Sequence, residues 1–307
     1  MENYKSGKNK AKKILYNGIS LPVMGYGSAI VSNLPFGIKS VIKQCRTRIL
    51  SPKQYRKNKG LIQCTEALMK TNMRLFDTSR AYGTSELILG NILKNYERNS
   101  FSAITKLSNE FQRKGAIRKA LLESLDRLQL EYVDLYLMHW PVTETYLDTW
   151  KQMEELYKAG LCRAIGVCNC NIHHLEEIEK IAEIIPMVNQ FECHPLFTQV
   201  ELREYCQKKN IQVMAYTPTA RMDERLNKTV LKKLAEKYQK SIAQIILRWH
   251  IEIGNIPIVN TSNVKHLMDN VDIMDFSLNQ EEITAVNSIN INSRLRYDPD
   301  NCDFSQL

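Results

Sequence analysis

The sequence predicts an α/β fold, a (β/α)8 TIM barrel with an N-terminal β-hairpin. Three observations predict it. Between residues 23 and 270, eight short apolar runs alternate with longer amphipathic ones. Eight strand–helix units in about 250 residues match a parallel barrel in size and order. An Asn17-Gly18 pair flanked by short apolar runs stands before the first of them. The competing open sheet would carry a Gly-rich phosphate turn after its first strand, and Gly25-Tyr26-Gly27 has no third glycine at the required place.

Each element has a local cause. Lys13–Tyr16 and Ser20–Leu21 flank Asn17-Gly18, which favours a tight hairpin turn, and such a hairpin would plug the bottom of the barrel. The strands are expected at Val23–Gly27, Arg74–Asp77, Ser102–Lys106, Val133–His139, Cys162–Val167, Met187–Phe191, Ile211–Tyr216 and Ile256–Val259. Helical spacing links Leu61, Cys64 and Leu68, then Ile117, Leu121, Leu125 and Leu128, then Trp150, Met153, Leu156 and Tyr157. Val230, Leu231, Leu234 and Tyr238 start a further helical region that continues through Ile242 to Trp249. Ser51-Pro52 reads as an N-cap followed by Pro at the first helical position, and Asn171 can cap the helix after the fifth strand. The whole chain, 1–307, is expected to form one domain of this kind.

Composition narrows the classes. The chain has 307 residues, 44% hydrophobic and 24% charged, enough for a large core. No apolar stretch approaches the length of a membrane span. The net charge of +9 is uneven: residues 1–60 hold 13 Lys+Arg against one acid, and the rest of the chain is slightly acidic. Residues 1–12 lack the apolar core of a secretory signal and are expected to form a disordered basic terminus. Eight cysteines in a chain this large point to reduced thiols in the cytoplasm, not a disulfide framework. Cys168, Cys170 and Cys193-His194 lack metal-ligand spacing, so no metal is expected.

Chemistry in such a barrel sits where the strands end. Three successive strands end in an ionisable group: Asp77, Lys106 and His139, with Tyr82 on the loop five residues beyond Asp77. Singly, each has a plain structural reading, and their convergence on one mouth is what carries weight. A buried Lys106 would pair with Asp77. Its charge would lower the Tyr82 phenol from about 10 toward neutrality. Tyr82 could then pass a proton to a carbonyl oxygen that His139 holds. No nucleophilic elbow accompanies the set, so another molecule must deliver the electrons, most simply a nicotinamide hydride.

The motifs make a resemblance explicit. They include Asp77-Thr78-Ser79-Arg80-Ala81-Tyr82-Gly83 with Glu86, Thr105-Lys106-Leu107, and Val133 through His139-Trp140-Pro141. Gly166-Val167-Cys168-Asn169, Asn189-Gln190 with Glu192, Ala215-Tyr216-Thr217-Pro218 and Leu247-Arg248-Trp249 extend the match. In that order they resemble the aldo-keto reductases over nearly the whole chain. The resemblance implies an NADPH- or NADH-dependent enzyme reducing an aldehyde or ketone to an alcohol. Asp77, Tyr82, Lys106 and His139 fall on the family's tetrad, with Tyr82 as proton donor. It further implies that Cys168, Asn169 and Gln190 hold the nicotinamide amide, that Tyr216 stacks on its ring, and that Thr217 continues this contact. Tyr26 and Trp140 would line the substrate pocket. The alternative is a cofactor-binding regulatory barrel with little turnover.

Two departures stand out. Cys168 occupies a position usually held by Ser. Many relatives continue from Pro with Lys-Ser and have an Arg further on, groups that grip the adenosine 2′-phosphate; here Ile258 takes the Lys position and His266 falls about where the Arg belongs. Thr261, Ser262 and Asn263 offer neutral donors instead, although a turn and helix cap explain Thr261 and Ser262 equally well. Asn270 keeps the adenine contact. A weakened preference for NADPH is the expectation.

Residues 28–51 form an inserted loop after the first strand, and residues 39–59 carry eight cations and no acid. A solvated loop is one reading. A rim at the catalytic mouth that attracts anionic carbonyl substrates is the sharper one. No nucleic-acid module accompanies these cations. The expected partner is therefore a small carbonyl compound, anionic ones included, with neither nucleic acid nor membrane.

Overall fold

Parallel strands buried on both faces alternate with helices in the order the apolar pattern predicts. The computed structural model describes residues 11–29 and 52–304. The expected basic terminus, but for its last two residues, and the insertion from Ile30 to the expected cap Ser51, with Arg46 and Arg48, lie outside the described residues.

A hairpin of β1 (Lys12–Ile14) and β2 (Ser20–Pro22) comes first. Its turn places Gly18 at φ +86°, a region that favours glycine. Eight strands follow: β3 (Gly25–Gly27), β4 (Leu75–Asp77), β5 (Ser102–Leu107), β6 (Leu135–Met138), β7 (Ile165–Cys168), β8 (Val188–Glu192), β9 (Gln212–Tyr216) and β10 (Ile256–Val259). All pairings among these eight are parallel, and β10 closes the barrel on β3. All eight expected strands are present. The strand expected from Val133 is shorter than its apolar run because the Asp134 carboxylate takes the N–H of Ala103 at 2.8 Å, and Val133 makes only a single bridge to Cys162.

Helices α1 (Pro52–Leu68), α2 (Ser85–Leu93), α3 (Asn109–Arg113), α4 (Ile117–Leu128), α5 (Tyr146–Lys158), α6 (Ile172–Ile181), α7 (Val200–Lys208), α8 (Val230–Tyr238), α9 (Ile242–Glu252), α10 (Val264–Val271) and α11 (Gln280–Asn287) surround the strands. Pro52 opens α1, as its missing N–H allows. The helical region from Val230 to Trp249 is split, because Gln239 adopts φ +53° and Ser241 caps α9 through Gln244.

Side chains alternate in and out along each strand. The inward set, including Leu75, Ile104, Leu137, Val188, Met214, Ile256 and Ile258, fills the barrel. Leu15 and Leu21 of the hairpin belong to the same cluster, so the hairpin does plug one end. A larger apolar layer lies between strands and helices. Gly25 and Ile258 fit closely: a Cβ on Gly25 would stand 2.6 Å from Ile258 Cδ1. The same parity turns Asp77, Lys106, Cys168, Gln190 and Tyr216 toward the barrel axis at the end away from the hairpin.

Candidate active site

Lys106 and Asp77 form the buried centre of the site. They are 1% and 3% exposed, and Lys106 Nζ donates to Asp77 Oδ1 at 2.5 Å and to the Thr78 carbonyl at 2.9 Å. Burial alone would lower the lysine's pKa, but the Asp77 carboxylate and then the Tyr82 phenol hold it above its ordinary value. Gln190 Nε2, reaching across from β8, donates to Asp77 Oδ2 at 2.8 Å. Both carboxylate oxygens are therefore satisfied, which makes a buried charge tolerable.

Tyr82 and His139 stand above this pair. Lys106 Nζ lies 5.1 Å from the centre of the Tyr82 ring, and Tyr82 Oη lies 3.4 Å from His139 Nε2. The structure corrects one expectation here. Burial raises the Tyr82 phenol by more than the neighbouring Lys106 ammonium lowers it, so the phenol lies above its ordinary value of 10.0. At neutral pH it holds its proton. Burial, and secondarily Lys106, lowers His139 to about 3, so its imidazole is neutral.

Sequence reading missed Ser79. Its Oγ is 3.4 Å from His139 Nδ1, 3.5 Å from the Lys106 carbonyl, and accepts from Ala81 N–H at 3.1 Å. The only sequence signal was its place inside the Asp77–Tyr82 motif. Glu86, by contrast, is a strut: buried beside β5, it accepts from Thr105 Oγ1 at 2.7 Å and pairs with Arg127 at 2.8 Å.

A cleft of about 770 Å³ opens over these groups. Asp77, Tyr82, Trp140, Gln190, Tyr216 and Thr217 line one part of it. Asn260, Thr261, His266, Asp269 and Asn270 line another, together with Ser241–Ala243 at the first turn of α9. One continuous cleft thus joins the strand-end groups to the loop after β10, an extent suited to a dinucleotide. A helix N-terminus in its wall favours anionic phosphate. Asn169 donates to the His139 carbonyl at 3.0 Å and accepts from Tyr216 Oη at 2.7 Å. Cys168 Sγ reaches Gln190 Oε1 only at 3.9 Å, and burial raises its thiol, so it stays neutral. The Asn169 amide retains a further donor and acceptor for a nicotinamide carboxamide, and Gln190 Oε1 retains acceptor capacity, its Nε2 being engaged by Asp77 and Met214 Sδ.

The remaining expected residues divide between the cleft and the packing around it. Tyr26 does not reach the cleft: it is fully buried on the outward face of β3, its Oη donating to the Thr261 carbonyl at 2.8 Å. Strand parity explains this, because Gly25 and Gly27 are the inward residues. Ile258 sits inside β10, as expected, packed over Gly25 and Gly27 and lining the cleft, and the first loop residue in the cleft is Asn260. The Asn263 side chain caps α10 by accepting from the N–H groups of Lys265 (2.9 Å) and His266 (3.4 Å). Ser262 packs its backbone against α1, where a Cβ on Gly60 would stand 2.5 Å from the Ser262 carbonyl oxygen. Thr261 Oγ1 accepts from Asn263 N–H at 3.1 Å, a turn contact. Trp140 does line the cleft, its ring 6.2 Å from that of Phe304.

A closed barrel with such a mouth defines a class of cofactor-using enzymes, and comparison with known proteins narrows it. The model of the Aldo/keto reductase family matches residues 53–291. A glyoxal reductase of Bacillus subtilis is 38% identical over 291 residues, covering 94% of this chain and 96% of its own. Methylglyoxal reductase DkgA of Escherichia coli K12 is 37% identical over 248 residues, 79% of this chain and 89% of its own. Among solved structures, an aldo-keto reductase of Bombyx mori in complex with NADP superposes with a TM-score of 0.78 at 30% identity, covering 94% and 95% of the two chains. The chain belongs to the aldo-keto reductase family. It is an NAD(P)H-dependent oxidoreductase, and the regulatory-barrel alternative is not favoured.

Proposed function

We propose that the chain reduces small aldehydes and ketones, with reactive dicarbonyls such as methylglyoxal as its first substrates to test, and that it does so in the cytoplasm. The observation that carries this reading is the stack of Asp77, Lys106, Tyr82 and His139, of which Asp77 and Tyr82 line one continuous cleft. Bound nicotinamide supplies the hydride.

The protein's own residues handle the proton and the oxygen. Tyr82 Oη, protonated at rest, donates to the carbonyl oxygen as negative charge develops there. Lys106 stabilises the phenolate left behind, and Asp77 keeps Lys106 charged and in place. With its proton on Nε2, which faces the Tyr82 hydroxyl, the neutral His139 imidazole can hold the same oxygen. Asn169 and Gln190 orient the nicotinamide amide, and Tyr216 supports its ring. Trp140 bounds the substrate side.

The test is direct. Purified protein is mixed with NADPH or NADH and a panel of neutral and anionic aldehydes and ketones, and cofactor oxidation is followed. Turnover of methylglyoxal and glyoxal with either cofactor is expected. Cofactor binding without oxidation by any carbonyl would overturn the reading in favour of a binding protein.

A further inference from the structure

The chain beyond α11 returns across the catalytic mouth, and a buried carboxylate holds it there. Glu192, fully buried as the last residue of β8, accepts from the backbone N–H of Leu295 through Oε1 at 2.7 Å and of Arg296 through Oε2 at 3.0 Å. Farther along, Asp300 accepts from Asn171 Nδ2 at 2.7 Å, and the Phe304 ring rests beside Trp140. The backbone at Arg296 is therefore pinned by two N–H groups on one carboxylate.

Its side chain is exposed and lines the cleft with Tyr82, Trp140 and Tyr216. The neighbouring Arg294 is engaged, stacked 4.6 Å over the Phe197 ring and 3.9 Å from Asp298. No carboxylate among the described residues pairs with the Arg296 guanidinium. Barrel order supplies the direction. Strands β4 and β8 are four apart in a ring of eight, so the Glu192 anchor stands across the mouth from the strand that leads to Tyr82. The bond from Gln190 of β8 to Asp77 of β4 spans that same diameter.

We propose that Arg296 is a specificity-determining residue that receives a carboxylate on the substrate, while the carbonyl end meets Tyr82 and His139. A single planar guanidinium matches a carboxylate in shape and charge, with two parallel N–H donors. The favoured substrates are oxo acids and aldehyde acids whose length spans the mouth. This rests on the reductase reading and extends it to substrate class.

The test compares kcat/KM for a series of ω-oxo carboxylates of increasing length with that for the methyl-ended aldehydes of equal length, in the parent and in Arg296→Ala and Arg296→Lys. Loss of a charge-assisted bond predicts a fall of about ten- to a hundredfold for the best oxo acid in Arg296→Ala. The methyl-ended aldehydes and the KM for NADPH should be unchanged, and Arg296→Lys should recover part of the loss. An equal fall for both substrate series, or a raised KM for NADPH, overturns the assignment; the latter makes Arg296 a cofactor-phosphate contact. A parent protein that turns over both series without favouring any acid overturns this inference alone. A parent that oxidises NADPH with methylglyoxal but with neither series likewise overturns this inference alone, and one that oxidises it with no carbonyl at all overturns the reductase reading and this inference with it.

Discussion

Replacing Tyr82 by Phe separates chemistry from architecture. In the structure the Tyr82 hydroxyl meets His139 Nε2 at 3.4 Å, longer than a good O–H bond, and the Lys106 ammonium. Removing it should cost stability about 1 kcal/mol at most. The ring stays beneath Trp140's side of the cleft and beside Lys106. The reaction, however, loses its proton donor, a loss of roughly a hundred- to ten-thousandfold in kcat. That corresponds to about 3–5 kcal/mol on the barrier, several times the effect on folding. The assay is NADPH oxidation under saturating carbonyl, with cofactor affinity from fluorescence titration and stability from urea unfolding. The expected result is a collapsed kcat with cofactor affinity and stability nearly intact. A variant that retains turnover within about tenfold of the parent would refute the role assigned to Tyr82.

Three further outcomes follow from the same geometry. Because the phenol is raised above 10.0 and His139 is lowered to about 3, the reduction rate should be flat from about pH 5 to pH 9. It should fall only as pH rises through the phenol's range, and a limb near the ordinary imidazole value of 6.5 in the pH–rate profile would contradict the neutral His139. Asp77→Ala leaves the buried Lys106 ammonium with no carboxylate, only the Thr78 carbonyl and the Tyr82 phenol, and urea unfolding should register a loss of about 3–5 kcal/mol. A loss below about 1 kcal/mol would mean that the pair is not the strut it looks to be. With no Lys or Arg among the β10-loop residues that line the cleft, affinity for NADPH should exceed that for NADH by less than about a hundredfold, and titration of both cofactors checks this.

Much of this architecture was legible in the linear order of residues. Strand and helix periods are local properties, so all eight strands and the apolar stripes of α1, α4, α5, α8 and α9 could be read from spacing. Strand ends were legible too, because a run such as Leu75-Phe76-Asp77 changes from apolar to ionisable where the chain leaves the barrel. What resisted reading was direction and environment. Tyr26 is adjacent to two inward glycines, and only the closed barrel shows that its ring faces the helices instead. Ile258 stands where many relatives carry a Lys, and only the structure shows its side chain packed over Gly25 and Gly27.

The sequence by itself determined the barrel, the ionisable residues where successive strands end, and the residue types available at the mouth. The tertiary structure alone decided how those residues feel one another. Lys106 is near enough to lower the Tyr82 phenol, but burial outweighs it, a balance that depends on how much water the packed site excludes. Ser79 meets His139, and Glu192 meets Arg296, across 60 and 104 residues of chain. Such partners are set by closure of the ring and by the return of the tail, and no local spacing encodes them.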